Sequence, residues 1–124
     1  MPKQAHLESF IASSFRSVWA LELLKHLAAS PGTFHAPDEL VAALRASDAV
    51  VSQSVDNLSV AGLAILDGEG RVAYLESSAE QRALVRGAIE YYARSPDKAR
   101  RLIVAQCAPG VTAFADAFKL RKKD

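Results

Sequence analysis

Residues 47–75 read SDAVVSQSVDNLSVAGLAILDGEGRVAYL, and within this stretch the spacing of the apolar side chains changes period. Val51, Val55, Leu58 and Gly62 recur at steps of three and four, which puts them on one face of an α-helix. Ser47 stands where a hydroxyl caps the first turn, so a helix is expected from Asp48 to about Ala61. After Gly62 the runs Leu63–Leu66 and Arg71–Leu75 flank Asp67-Gly68-Glu69-Gly70, whose glycines suit the positive φ of a tight hairpin turn. A helix that reverses into a β-hairpin is therefore predicted. With the apolar row inward, Ala49, Gln53, Asp56 and Val60 face outward, flanked by Ser52 and Asn57. Between Arg45 and Arg71 this stretch holds no cation, only Asp48, Asp56, Asp67 and Glu69.

Upstream, FIASSFRSVWALELLKHL from Phe10 to Leu27 is apolar around most of the helical circumference, which predicts one buried, central helix. Its Glu22, Lys25 and His26 fall on a narrow solvent stripe, and Ser30-Pro31-Gly32 ends it. Pro37 suits the first position of a short second helix in APDELVAALR, with Asp38 and Glu39 at the positive end of its dipole. Leu40, Val41 and Leu44 form the inner face of that helix.

Downstream, Ser77 and Glu80 have the spacing of a capping box that opens a fourth helix, running to about Arg94. Leu84, Val85, Ala88, Ile89, Tyr91 and Tyr92 share one side of it, and Arg82, Arg86, Glu90 and Arg94 step along the other. This separation favours core packing for the tyrosines and a solvated stripe for the arginines over a single-stranded nucleic-acid platform. Ser95-Pro96 starts a fifth helix through about Cys107 that carries Lys98, Arg100 and Arg101, and Ala108-Pro109-Gly110 breaks it. Val111, Phe114, Ala115 and Phe118 then give a short amphipathic helix whose apolar stripe needs cover from this chain or a partner. The closing KLRKKD is a phosphate-binding arm, a complement to the helix dipole or a solubilising end.

At 124 residues the chain suits a single domain, residues 1–124, with 50% apolar and 23% charged residues, a balance that excludes wholesale disorder. No export-type h-region opens it, and no run approaches the ~18 apolar residues of a membrane span, so a cytoplasmic protein without membrane contact is expected. Cys107 is the sole cysteine, read as a packed thiol. The formal charge is +1, but residues 1–81 carry five basic against ten acidic side chains and residues 82–124 ten against four. A polyanion is thus expected to prefer the last third, and the two parts to attract each other within or between chains. His6, His26 and His35 lack partners at metal-ligand spacing, and no nucleophile motif, phosphate loop or carboxylate pair is evident. No enzymatic activity, metal or cofactor is expected.

Helix, helix, turn, helix and two-stranded hairpin in this order resembles the winged helix-turn-helix of bacterial transcriptional regulators, the MarR-like and ArsR-like groups among them. The resemblance rests on APDELVAALRASDAVVSQSVDNLSVAGLAIL and on the L-x-x-x-G-L signature of Leu58 to Leu63, where Gly62 lets the chain reverse into the first wing strand. It implies a mainly α fold of three helices plus a two-stranded β-wing over residues 10–75, with residues 76–124 as a C-terminal helical extension of the kind used for dimerisation. It further implies a regulator that binds double-stranded DNA as a homodimer through its N- and C-terminal helices. Ser47, Ser52, Gln53 and Asn57 would approach the major groove, and Arg45 and Arg71 would hold phosphates. The missing positive charge supports a different use of the same fold: a protein-interaction module that docks a partner on its acidic face.

Overall fold

Six helices and one hairpin make up the regular structure of residues 2–106, the part of the chain that the computed structural model describes. In chain order they are α1 (Gln4–Ser14), α2 (Val18–Ala28), α3 (Pro37–Leu44), α4 (Asp48–Val60), β1 (Ala64–Leu66), β2 (Val72–Tyr74), α5 (Ala79–Arg94) and α6 (Pro96–Gln106). Cys107, the break at 108–110, the amphipathic run 111–118 and the basic tail lie outside the described residues.

The helix expected from Phe10 to Leu27 is two helices. Phe15 leaves α1 in extended geometry, and Ser17, also extended, caps α2 by accepting the Ala20 N–H at 3.2 Å. The elbow keeps Phe15 in the core, with its ring edge-on to Phe10 at 5.8 Å. α2 is then the central helix: Ala20, Leu21, Leu23, Leu24 and Leu27 are all fully buried. Phe10, Ile11, Phe15, Val18 and Trp19 carry apolar side chains across the elbow, so apolar spacing reads the two segments as one.

From α2 to the hairpin the chain follows the expected order. The Glu39 carboxylate accepts the Ala36 N–H at 2.9 Å ahead of α3. Arg45, at φ 55°, takes the left-handed turn out of α3, and Ser47 caps α4 by accepting the Val50 N–H at 3.1 Å. Val51, Ser54, Val55 and Leu58 are buried, so α4 turns this face to α2, α3 and β1, against which it packs. Gly62, at φ 77°, reverses the chain, and the Leu63 N–H returns to the Leu58 carbonyl at 2.8 Å. A side chain at that φ would be strained, which explains the glycine.

β1 and β2 pair antiparallel from Ala64 opposite Tyr74 to Leu66 opposite Val72. Val72 also exchanges backbone bonds of 2.8 and 2.9 Å with His35, so the hairpin is tied to the loop between α2 and α3. One residue is too short a pairing to leave a strand pattern in the sequence.

α5 begins one residue later than expected. Ser78, not Ser77, accepts the Gln81 N–H at 3.0 Å. Two S-x-x-E/Q registers overlap here, and Gln81 decides between them because its side chain is held elsewhere. It donates to the carbonyls of Gly62 at 3.1 Å and Leu75 at 3.0 Å and accepts from the Tyr74 hydroxyl at 3.1 Å. One amide thus ties the end of α4, the exit of the hairpin and the start of α5 together.

α5 and α6 pack on each other and on α1, where Gly87 allows a close crossing: a Cβ there would lie 2.5 Å from Leu7 Cδ2. One buried cluster joins Ile11 of α1, the α2 leucines, Leu58, Tyr74, Val85 and Ile103. Among the described residues no helix is long and apolar enough to cross a membrane.

Candidate functional site

The outward side of α4 carries Asp48, Ser52, Asp56 and Val60, four exposed residues that step by four along the helix and so form one inclined row. Gln53 is exposed beside them. At the Val60 end, Arg16 and Ser17 of the α1–α2 elbow close a groove against Gln53, Asp56, Asn57 and Val60. Val60 is 85% exposed, the largest value among the exposed large apolar residues.

The six residues expected to contact DNA are distributed unevenly around this face. Ser52 and Gln53 are exposed on it. Ser47 uses its hydroxyl to cap α4, and Arg45 is exposed at the turn before it, without an ion pair among the described residues. Asn57 does not serve as a base reader here: its Nδ2 donates to the Ser14 carbonyl at 2.8 Å and its Oδ1 accepts the Arg16 N–H at 2.7 Å. These are backbone groups left over where α1 ends, so the amide is what holds the elbow. Arg71 is engaged as well. Its Nε lies 2.7 Å from Asp67 and its NH2 group 3.3 Å from Glu69, both in the hairpin turn. Burial alone would push the Asp67 carboxyl up, but the N–H groups of Arg71 and Glu69 and the Arg71 guanidinium outweigh it and lower it.

The described cations of the last third lie away from the row. Arg82 and Arg86 line a cleft with Ala28, Pro31 and Tyr74, and Arg82 is 3.5 Å from Glu76. Lys98 and Arg101 line another with Glu8, Ala12 and Tyr91, and Arg100 pairs with Asp97 at 2.8 Å. Arg94 lies at the N-terminal end of α1, by Pro2 and Gln4. None of these cations borders the α4 groove.

Further tertiary contacts escape spacing alone. The Tyr91 hydroxyl donates to Glu8 at 2.8 Å and the Tyr92 hydroxyl to Glu22 at 2.5 Å, joining residues 83 and 70 apart. Burial, then the bond to Glu22, pushes the Tyr92 hydroxyl up to about 12, and the bond from Tyr91 lowers Glu8. Gln81 was visible as the fourth residue of S-x-x-Q, although its tertiary bonds were not. His26 and His35, far apart in sequence, bring their rings to 5.2 Å, but no metal-type cluster of three or more His, Cys, Asp or Glu occurs among the described residues.

No protein-family model, curated protein or solved structure matches the chain.

Proposed function

We propose that the chain is a winged-helix protein-interaction module that docks a basic partner on the outward row of α4. The order of α2, α3, α4 and hairpin supports a winged-helix reading, as does the His35–Val72 pairing that anchors the hairpin at its base. The observation that carries the functional part is the row itself: two carboxylates, a hydroxyl and an 85% exposed valine, with no cation. Double-stranded DNA brings about one negative charge per ~1.7 Å of axis, and binding it depends on releasing counterions through Lys and Arg. Asp48 and Asp56 oppose such a surface and complement a basic one, while Val60 supplies apolar contact next to them.

The test is titration of fluorescent mixed-sequence duplex DNA at about 50 mM salt, where non-specific electrostatic binding is strongest. No anisotropy change up to tens of micromolar is expected. In parallel, a photo-crosslinking residue at position 60 is expected to capture one stoichiometric basic protein in cells, and Asp56→Lys to abolish the capture. Duplex binding that falls steeply with salt overturns the proposal.

One observation favours the regulator reading: Arg16 and Gln53 border the same groove, with Ser52 exposed beside it. In that reading Gln53 pairs with adenine and Arg16 holds a phosphate, so Arg16→Ala would lower the salt slope of duplex binding by about one. Self-association through the N- and C-terminal helices is part of both readings, and light scattering that gives a monomer mass at micromolar concentration removes it.

A further inference from the structure

We infer that the cleft between α2, α3 and α5 receives an arginine side chain of the partner, stacked on Trp19 and paired with Glu22. That the partner is basic rests on the reading of the α4 row; the selectivity for arginine rests on the lining of the cleft itself.

Val18, Trp19 and Glu22 of α2 form one wall of this cleft, Ala43 and Leu44 of α3 the second and Tyr92 of α5 the third. Trp19 and Glu22 stand three residues apart on one helix, so their side chains are surface neighbours. The indole is 40% exposed, and its N–H has no hydrogen bond among the described residues. The Tyr92 hydroxyl donates to Oε2 of Glu22 at 2.5 Å, which fixes the carboxylate and leaves Oε1 without a bond among the described residues. Ala43 and Leu44 end α3, so the negative end of that helix dipole adds to the same field.

A fixed carboxylate, a flat aromatic face and a negative helix end together suit a cation, and no described cation of this chain takes the place. Lys25 and Arg45, the nearest along the chain, form no ion pair with Glu22 among the described residues, and Arg100, whose charge reaches Tyr92, is paired with Asp97 at 2.8 Å. The flat face selects arginine over lysine. A guanidinium lies flat on an indole while its N–H groups donate in plane to a carboxylate, whereas an ammonium is compact and more strongly hydrated. An exposed ion pair alone contributes little; the indole adds the cation–π attraction and keeps water from one face.

The cleft adjoins the α4 row at two points. Ser17 borders the α4 groove and Val18 the cleft, and Leu44 stands four residues before Asp48 at the head of the row. Four residues of backbone span at most about 14 Å, so a basic segment lying against Asp48 reaches the cleft with a neighbouring arginine. The carboxylates of the row then attract by charge, and the cleft reads the shape of one side chain.

Trp19 is the sole tryptophan, so its emission reports the cleft directly. The probe is arginine capped as the N-acetyl methylamide, titrated into the full chain at constant ionic strength. A saturable change in emission with a midpoint of a few millimolar is expected, the range open to so small a ligand. The capped lysine should bind about fivefold more weakly and capped citrulline, which keeps the shape without the charge, should give no change. Glu22→Gln retains an oxygen for the Tyr92 hydroxyl and should weaken capped arginine about tenfold, with an unchanged far-ultraviolet circular dichroism spectrum. No saturable response to capped arginine, or an equal one to citrulline, overturns the inference without recourse to any variant. Equal binding of lysine overturns the stacked guanidinium, and tighter binding of free arginine makes an amino acid the occupant and overturns the assignment to a partner chain. Because one capped residue is too short to span both sites, a silent Trp19 with crosslinking at position 60 intact removes the cleft alone, and a responding Trp19 without that crosslink removes the row alone.

Discussion

Two groups of carboxylates in this molecule receive opposite treatment. Glu8 of α1 and Glu22 of α2 accept hydroxyl hydrogens from Tyr91 and Tyr92, so they clasp α5 to the N-terminal helices. Asp48 and Asp56 of α4 have neither a side-chain hydrogen bond nor an ion pair among the described residues. The acidic excess of the first two thirds thus divides into a part that builds the fold and a part that stays open. Charge totals alone do not make this division. Proximity does: a tyrosine hydroxyl leaves the charge of Glu8 or Glu22 in place but occupies an oxygen of the carboxylate and fixes its position, whereas both oxygens of Asp48 and Asp56 are open to a cation.

The clasped side should be the sensitive one. Gly87→Leu puts a branched side chain where even a Cβ would meet Leu7 Cδ2 at 2.5 Å, which drives α1 from α5 and loosens the Glu8–Tyr91 bond. Overpacking at such a crossing costs about 3 kcal/mol, measured as a fall in the urea midpoint with an unchanged m-value. Gly87→Ala should cost less, because the clashing atom is the tip of a side chain and alanine favours the helix by about 1 kcal/mol. Asn57→Ala is next. It leaves the Ser14 carbonyl and the Arg16 N–H without their partner and should cost about 2 kcal/mol, although the residue looks like part of the outward face by spacing. If Asn57→Ala left stability unchanged, the amide would be available for other contacts and the division between the two regions would fail.

Asn57 also shows where a sequence stops being legible. Helices α3 to α6, the Ser47 cap and the hairpin were readable because their signals are local: a period, a capping hydroxyl, a glycine turn. The elbow at Phe15–Ser17 was not, because its partner is an amide 41 to 43 residues away and the apolar pattern runs on across it. The same reason hid the His35–Val72 pairing and the choice of Ser78 over Ser77, which tertiary bonds of Gln81 settle. Of the candidate site, the outward set Gln53, Asp56 and Val60 followed from helical spacing. The engagement of Arg71 by Asp67 and Glu69 needed the folded turn, where Gly70 at φ 79° brings the three together.

The Tyr92–Glu22 bond gives the clasped side a pH signature of moderate size. The fold raises the phenol to about 12 from an ordinary 10, mainly by burial and then by the bond to Glu22. A raised value means the neutral form is the one that the fold favours. Its contribution is complete below pH 10 and is lost as pH rises through about 12. Tyr92→Phe should cost about 1 kcal/mol at neutral pH, the net value of one hydrogen bond, and should flatten the decline of unfolding free energy between pH 10 and 12. An equally steep decline in the variant would assign that titration to Tyr74 or Tyr91, both of which are also raised.

The open side should give the smallest effect on stability, and this is where the comparison is sharpest. Asp56 is exposed, eight positions along α4 from the helix start, where the dipole no longer assists a carboxylate. Asp56→Ala should therefore change unfolding free energy by less than about 0.5 kcal/mol, and Val60→Ser, at an 85% exposed position, by no more. A cost above about 1 kcal/mol for Asp56→Ala in 0.1 M salt that disappears in about 1 M salt would show that something cationic already holds the carboxylate in the isolated protein. A cost that persists in high salt would instead make Asp56 a structural residue like Glu22. Stability at two salt concentrations thus separates an open carboxylate, a screened ion pair and a built-in one, and only the first two are compatible with α4 as a docking face.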